Sequence, residues 1–185
     1  MSARETAVFG GGCFWCTEAV LKQLKGVVDV TPGYAGGHPP AGGEHPIYGQ
    51  VSSGKTGHAE VVKIEFDPNV ISYRDLLTVF FASHDPTTPD RQGADVGSQY
   101  RSMILTTSDE QRQQAEDFIQ EINTSDMEGE EVVTEVKPFD KFYEAEEEHK
   151  DFYDKNKYTG YSLFVINPKL KKVREKFKDL IKEKL

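Results

Sequence analysis

The stretch Gly10-Gly11-Gly12-Cys13-Phe14-Trp15-Cys16-Thr17 holds both cysteines and the one tryptophan of this 185-residue chain. Before it, Thr6-Ala7-Val8-Phe9 reads as a short buried strand; after it, Glu18 to Leu24 reads as a helix that ends near Gly26. The cysteines therefore fall where a strand passes into a helix, with Cys13 at or just before the first turn. Unpaired backbone N–H groups and the positive end of the helix dipole point there, and both favour a thiolate over a thiol. The glycines leave the backbone bare, so another molecule can approach the sulfur closely. A Cys-x-x-Cys in this setting suggests redox chemistry. Plainer readings stand beside it: two buried cysteines acting as small apolar residues, a glycine cluster that is only a turn, or a zinc site. Zinc needs about four ligands, and His38, His45, His58, His84 and His149 supply no His-x3-His pair.

Length fits one domain over residues 1–185, long enough to bury a sizeable core. A hydrophobic content of 37% with 11% aromatic residues describes a globular chain with extensive loops and a few large anchors. The net charge of −9 argues against nucleic acid or an anionic membrane as partner. No run of 18 apolar residues exists, and Met1-Ser2-Ala3-Arg4-Glu5 lacks the apolar core of a signal peptide, so the expected address is the cytoplasm. Thiols are kept reduced there, and two cysteines three apart are then more often catalytic than a structural staple.

Outward from the cysteines, Val27 to Thr31 reads as a strand, and residues 32–57, dense in glycine and proline, read as a long loop carrying Tyr48. Gly57-His58-Ala59-Glu60 leads into Val61 to Phe66, which alternates like a half-buried strand. Ser72 with Asp75 forms a capping box for a helix whose apolar face is Leu76, Leu77, Phe80 and Phe81. A second long loop, Ser83 to Gln99, precedes a strand from Tyr100 to Leu105. Ser108 and Gln111 open a helix through Ala115, Phe118, Ile119 and Ile122. Val132 to Val136 reads as a strand, 143–154 as a solvated acidic helix, Tyr161 to Ile166 as an extended segment. Asn167 caps a last helix with Pro168 at its first position. The first six elements, β-α-β-β-α-β, match a ferredoxin-like α+β two-layer sandwich, here with long loops and a C-terminal helical extension.

Polar residues that look out of place gather in the loops and at strand starts: Tyr48, Glu60, Asp95 and Tyr100. Each alone reads as a packing anchor or a solvated group. Together with a thiol at a helix start they form a set of nucleophile, carboxyl acid and two phenol donors.

Four motifs in order then make the chain recognisable. Gly12-Cys13-Phe14-Trp15, Gly57-His58-Ala59-Glu60, His84-Asp85-Pro86-Thr87-Thr88 and Gln92-Gly93-Ala94-Asp95-Val96-Gly97-Ser98-Gln99-Tyr100-Arg101-Ser102, with a weaker piece from Phe142-Tyr143 to His149, carry it. Over nearly its whole length the chain resembles an A-type peptide methionine sulfoxide reductase. The resemblance implies a peptide-methionine (S)-S-oxide reductase, returning the S epimer of methionine sulfoxide, free or in proteins, to methionine. It implies Cys13 as nucleophile, Glu60 as the acid that protonates the sulfoxide oxygen, and Tyr48 and Tyr100 as phenols binding that oxygen. Asp95 then helps hold the substrate backbone and an ordered water, and Phe14 and Trp15 grip the methyl group. No metal or organic cofactor is expected; the reductant is thioredoxin or a similar dithiol, the substrates are oxidised proteins or peptides, and the chain is expected to be monomeric.

The chemistry fits those roles. A sulfoxide sulfur resists attack because its oxygen leaves poorly, and one positioned acid typically contributes about 10²–10⁴-fold. A glutamic acid must be protonated to do so near neutral pH, which burial promotes. The first step leaves Cys13 as a sulfenic acid, which a second thiol condenses with to form a disulfide. Many family members carry a resolving cysteine in a C-terminal tail and glycine where Cys16 stands; here no cysteine follows position 16. Cys16 is thus the internal candidate. Glu148 and Lys150 depart from the weaker motif, with an expected effect on packing rather than catalysis. Two other readings remain: a general thiol-disulfide oxidoreductase needing only the Cys-x-x-Cys, and a non-catalytic binding module that keeps the pocket.

The resemblance predicts that Cys13→Ser abolishes sulfoxide reduction even with excess dithiothreitol, measured as methionine released. Turnover above a few per cent of wild type removes Cys13 from its role.

Overall fold

The computed structural model describes residues 3–38, 45–125 and 129–183. In chain order it runs β1 (Glu5–Gly11), α1 (Phe14–Leu21), β2 (Val27–Ala35), α2 (Tyr48–Ser52), β3 (Ala59–Phe66), α3 (Tyr73–Ser83), β4 (Arg91–Gln92), β5 (Asp95–Val96), β6 (Ser102–Thr106), α4 (Asp109–Ser125), β7 (Glu135–Pro138), β8 (Phe142–Glu144), α5 (Phe152–Lys155) and α6 (Asn167–Lys176). Six strands form one sheet in the order β7-β6-β1-β3-β2-β8, antiparallel throughout except for the β6–β7 pair; β4 and β5 pair separately.

Alternation along the central strands decides which face is which. Ala7 and Phe9 of β1, Val62, Ile64 and Phe66 of β3 and Ile104 of β6 point into the main core, which is completed by helix residues such as Leu21, Leu76, Phe80, Ala115, Leu170 and Val173. Phe9 stacks on Phe80 with ring centroids 4.7 Å apart. The intervening residues Val8, Val61, Met103 and Leu105 form a smaller cluster on the opposite face, packed against Phe139 and Phe142. Mixed α and β architecture was expected; the six-stranded sheet adds β7 and β8 to the four strands of the ferredoxin-like plan, β7 lying near the strand expected at 132–136.

The Ser72–Asp75 capping box forms: Ser72 Oγ accepts from Asp75 N at 3.0 Å, and Ser72 N donates back to Asp75 Oδ2 at 3.1 Å. Elsewhere several segments differ from expectation. β2 continues through Pro32, Gly33 and Tyr34, which composition placed in a loop. The proline is tolerated because β8 pairs only with Gly33–Ala35, so Pro32 lies just past that ladder. Gly33 is required there, since an added Cβ would overlap the Phe142 ring and the Tyr143 carbonyl. The expected loop's residues 39–44 lie outside the described residues. The sixth strand begins at Ser102 rather than Tyr100, because Ser98–Tyr100 close a tight helical turn first. The expected strand at 132–136 shifts to Glu135–Pro138. The expected acidic helix at 143–154 resolves into β8 and the single turn α5, its charges lying in turns. Tyr161–Ile166 is not extended: Ser162–Ile166 form a wide helical turn running straight into α6. Burial at Ser162, Ile166, Leu170 and Val173 follows helical spacing, which the apolar run Leu163-Phe164-Val165 obscured.

Candidate functional site

β1 delivers the chain to Cys13, which is the N-cap of α1 with non-helical dihedrals (φ −55°, ψ 122°). Its carbonyl accepts from Cys16 N at 3.1 Å and Thr17 N at 3.3 Å, starting the helix. Gly12 holds φ +88°, where a Cβ would also strike the Gln92 side chain. That glutamine is itself fixed, accepting from Asp85 N at 3.0 Å and donating to Asp85 O at 2.8 Å. Beneath Gly11 lies His84, between Phe80 O and Ser102 Oγ at 2.7 Å each, and burial lowers it to about 4, so it stays neutral. The His-Asp-Pro-Thr-Thr and Gln-Gly-Ala-Asp motifs therefore buttress the turn that presents Cys13.

Both cysteines are free thiols, Cys13 partly exposed and Cys16 buried. Each sulfur influences the protonation of the other. Cys13 is held well above its ordinary value, first by the Cys16 sulfur, then by burial and the neighbouring charges of Cys16 and Glu60. Cys16 is lowered to about 7, chiefly by the Cys13 S–H. The neighbouring sulfur, burial and, when ionised, Glu60 thus oppose the helix terminus that favours a Cys13 thiolate.

Glu60, on β3, is 2% exposed. Burial raises its carboxyl to about 8 against the opposing hydrogen bond from Phe14 N to its Oε2, at 3.0 Å. Tyr48, expected in a loop, is the first residue of α2, and its backbone N–H donates to Glu146 Oε1 at 2.7 Å. Tyr34 Oη donates to the other oxygen of the same carboxylate at 2.7 Å. Tyr100 ends the turn Ser98–Tyr100, which Arg101 anchors with guanidinium bonds to Ser98 O and Gly57 O at 2.8 and 3.0 Å. Asp95 lies on β5 opposite Gln92. Tyr48 and Tyr100 are each raised, by burial first, and then by charges that include Glu60, Cys13 and Asp95; Asp95 is raised by burial. Cys13, Cys16, Tyr48, Glu60, Asp95 and Tyr100 thus share one electrostatic neighbourhood.

The two aromatics after Cys13 differ. Phe14 is 1% exposed, turned inward among Tyr34, Tyr48 and His149, with centroids 5.5–6.4 Å away. Trp15 is partly exposed; it stacks on Phe152 at 3.7 Å and donates its indole N–H to His149 Nδ1 at 3.2 Å. Tyr34, Glu146, His149 and Tyr161 belong to this neighbourhood and were given no role from sequence, although Glu146 and His149 lie in the weaker motif. Tyr34 was hidden in a Gly/Pro run, Glu146 and His149 in an acidic run read as solvent-facing, and Tyr161 in an apolar segment. Among the described residues, no three His, Cys, Asp or Glu side chains stand together as a metal site.

Residues 5–181 match the family model described as "Peptide methionine sulfoxide reductase". The chain is 56% identical over 178 residues to the peptide methionine sulfoxide reductase MsrA of Saccharolobus solfataricus, covering 96% of this chain and 97% of that one. Among solved structures it is similar to reduced Mxr1 from Saccharomyces cerevisiae, with TM-score 0.79, 34% identity, and coverage of 84% of this chain and 87% of that one. Mxr1 in complex with Trx2 also aligns, with TM-score 0.56, 26% identity, and coverage of 79% and 84%.

The buried acid makes stability depend on pH. A carboxyl whose folded pKa is raised to about 8 contributes fully below its unfolded value, and that contribution is lost as pH rises toward 8. Glu60→Gln cannot ionise, so its unfolding free energy relative to wild type should improve by on the order of 1–4 kcal/mol between pH 5 and pH 8. Urea unfolding across that range measures it; a constant difference means Glu60 is already ionised in the folded protein.

Proposed function

The chain belongs to the peptide methionine sulfoxide reductase family, and we propose that it reduces the S epimer of methionine sulfoxide, free or in proteins, as a single-domain repair enzyme. We read its four central strands, β6-β1-β3-β2, as the ferredoxin-like split βαβ core. The observation that carries the functional reading is the pairing of a thiol at the N-cap of α1 with a buried carboxyl still protonated near neutral pH, joined through Phe14 N–H.

In this reading Cys13 attacks the sulfoxide sulfur while Glu60 gives its proton to the oxygen, with Tyr48 and Tyr100 donating hydrogen bonds to it. Both phenols keep their protons because burial raises them. Asp95 orients the substrate backbone, and Trp15 and Phe14 form the apolar wall for the methyl group. As Cys13 attacks, its proton passes along the S–H···S hydrogen bond to Cys16, so the pair needs no outside base. The hydroxyl then passes from the substrate sulfur to the Cys13 sulfur as the transient S–S link breaks with its electron pair on the substrate sulfur. This leaves Cys13 as a sulfenic acid and releases methionine. Cys16 then condenses with it, releasing water and forming a Cys13–Cys16 disulfide, which a thioredoxin-like dithiol reduces. The cap dihedrals of Cys13 favour that closure: residues three apart in a regular helix have Cβ atoms about 5–6 Å apart, against about 3.8 Å in a disulfide. The Mxr1–Trx2 complex supports a thioredoxin-type reductant. A cytoplasmic monomer without organic cofactor completes the proposal.

Incubation with a methionine sulfoxide epimer mixture and dithiothreitol should consume one epimer only; turnover of a disulfide alone would favour a general thiol oxidoreductase instead. Glu60→Gln should slow single-turnover methionine formation by on the order of 10²-fold, and an unchanged rate ends its assignment as the acid.

Cys16→Ser should still yield about one methionine per enzyme and turn over with dithiothreitol, but lose most activity with thioredoxin. Oxidised wild type should contain a Cys13–Cys16 bond by mass spectrometry. Free thiols beside a persistent sulfenic acid would refute the pairing.

A further inference from the structure

Tyr161 lies outside the motifs assigned to the reduction step, yet its phenol reaches the thiols. Its Oη sits 3.6 Å from Cys16 Sγ, and its ring stands edge-on to Trp15 with centroids 5.5 Å apart. It immediately precedes the wide helical turn Ser162–Ile166, the kind of bulge found often at functional sites. Burial, and then charge on Cys13 and Cys16, hold the phenol well above its ordinary range, so its O–H persists.

The groups that bear on the Cys16 sulfur are Cys13, Lys169 and Tyr161, which favour its ionised form, and Asp95 and Glu60, which carry like charge when ionised. The largest support is the Cys13 S–H. Oxidation of Cys13 to a sulfenic acid consumes that S–H just when Cys16 must become the nucleophile. Of the side chains that hydrogen-bond to Cys16 among the described residues, Tyr161 keeps its donor unchanged.

Resting on the assignment of Cys16 as the resolving thiol, we infer that Tyr161 is a further catalytic residue, acting in the second half-reaction: its O–H donates to the Cys16 sulfur and steadies it as the thiolate that attacks oxidised Cys13. The Cys16 electron pair forms the S–S bond, the Cys13 S–O bond breaks with its pair going to oxygen, and the hydroxide leaves as water by taking up the proton that Cys16 released. Cys16 is oxidised, the sulfenic sulfur is reduced, and Tyr161 ends with the proton it began with.

The test is Tyr161→Phe, which keeps the ring against Trp15. Wild type and variant are each given one equivalent of sulfoxide substrate, and disulfide formation is followed by acid quench and mass spectrometry from pH 5.5 to 9.5, with dimedone trapping any sulfenic acid. The variant should still release about one methionine per enzyme, which reports a folded site. Its disulfide-forming step should show a pH midpoint raised by about one unit. Since a thiol of higher pKa is also a stronger nucleophile, the step should be about threefold to tenfold slower at pH 6 and no slower at pH 9. Equal slowing at every pH would mean that Tyr161 only packs, and an unchanged profile would mean it does nothing in this step; either overturns the proposal. Wild type that forms no Cys13–Cys16 bond overturns the resolving assignment itself, and Tyr161's role with it.

Discussion

The hydrogen bond from Phe14 N to Glu60 Oε2, 3.0 Å long and buried, ties the helix that carries the thiols to the strand that carries the acid. It uses one of the four N–H groups that every helix start leaves unpaired. A carboxylate would accept that bond more strongly than a carboxylic acid, so by itself it would pull Glu60 toward ionisation. Desolvation acts the other way and prevails, leaving the group at about 8. The bond pins the Glu60 carboxyl to the backbone of the residue that follows Cys13.

Everything that holds Cys13 in place is likewise backbone or clasped side chain. Gly10, with no Cβ, lies against Glu60 O, and Gly11 lies against the Phe80 and His84 rings, so β1 runs closer to its neighbours than any larger residue would allow. His84 reaches on through Ser102 Oγ to Thr134 Oγ1 at 2.7 Å, joining α3, β6 and the approach to β7. A buried charged imidazole would disrupt that chain, and burial keeps the ring neutral down to about pH 4. Around the turn which that chain supports, the thiols, Glu60, Asp95 and the phenols Tyr48 and Tyr100 all depart from their ordinary titration.

Residues close in sequence were read well and residues brought in from afar were not. The strand-to-helix passage at Cys13, the Ser72 cap and the alternation of β3 are local features, set by turn sterics, capping and period-two burial. Glu60 could be singled out because a carboxyl at the head of an apolar strand conflicts with its surroundings. Its partner on Tyr48, the carboxylate of Glu146, falls in the weaker motif but received no role, because five of the eight residues from Glu144 to Asp151 are acidic and read as solvent-facing. Pro32 and Gly33 carry turn composition, yet the sheet takes them because β8 ends beside them. The surroundings of Cys16 likewise include a contact with Tyr161, 145 residues away.

That distance has a consequence for how the site assembles. Glu146, His149, Phe152 and Tyr161 all come from the segment following β8, and each contacts the first turn of α1 or residues packed on it. The segment is fastened at several points: Asp151 N donates to the buried Glu18 Oε1 at 2.9 Å, and Leu24 bridges Ile181 with Lys25 N on Leu180 O and Lys182 N on Gln23 O, both at 2.8 Å. Closing a loop of more than a hundred residues adds only modest entropy over a shorter one, because the cost grows with the logarithm of length. Docking an ordered surface segment still has to be repaid by what it buries, and here that is the stacking of Trp15 on Phe152 and the polar contacts around Glu146. This segment adds no strand to the central sheet. The reactive thiols therefore gain their aromatic cover, their phenol donor and their anchored Tyr48 from the part of the chain made last, and the chemistry depends on a non-local closure that the sheet itself does not require.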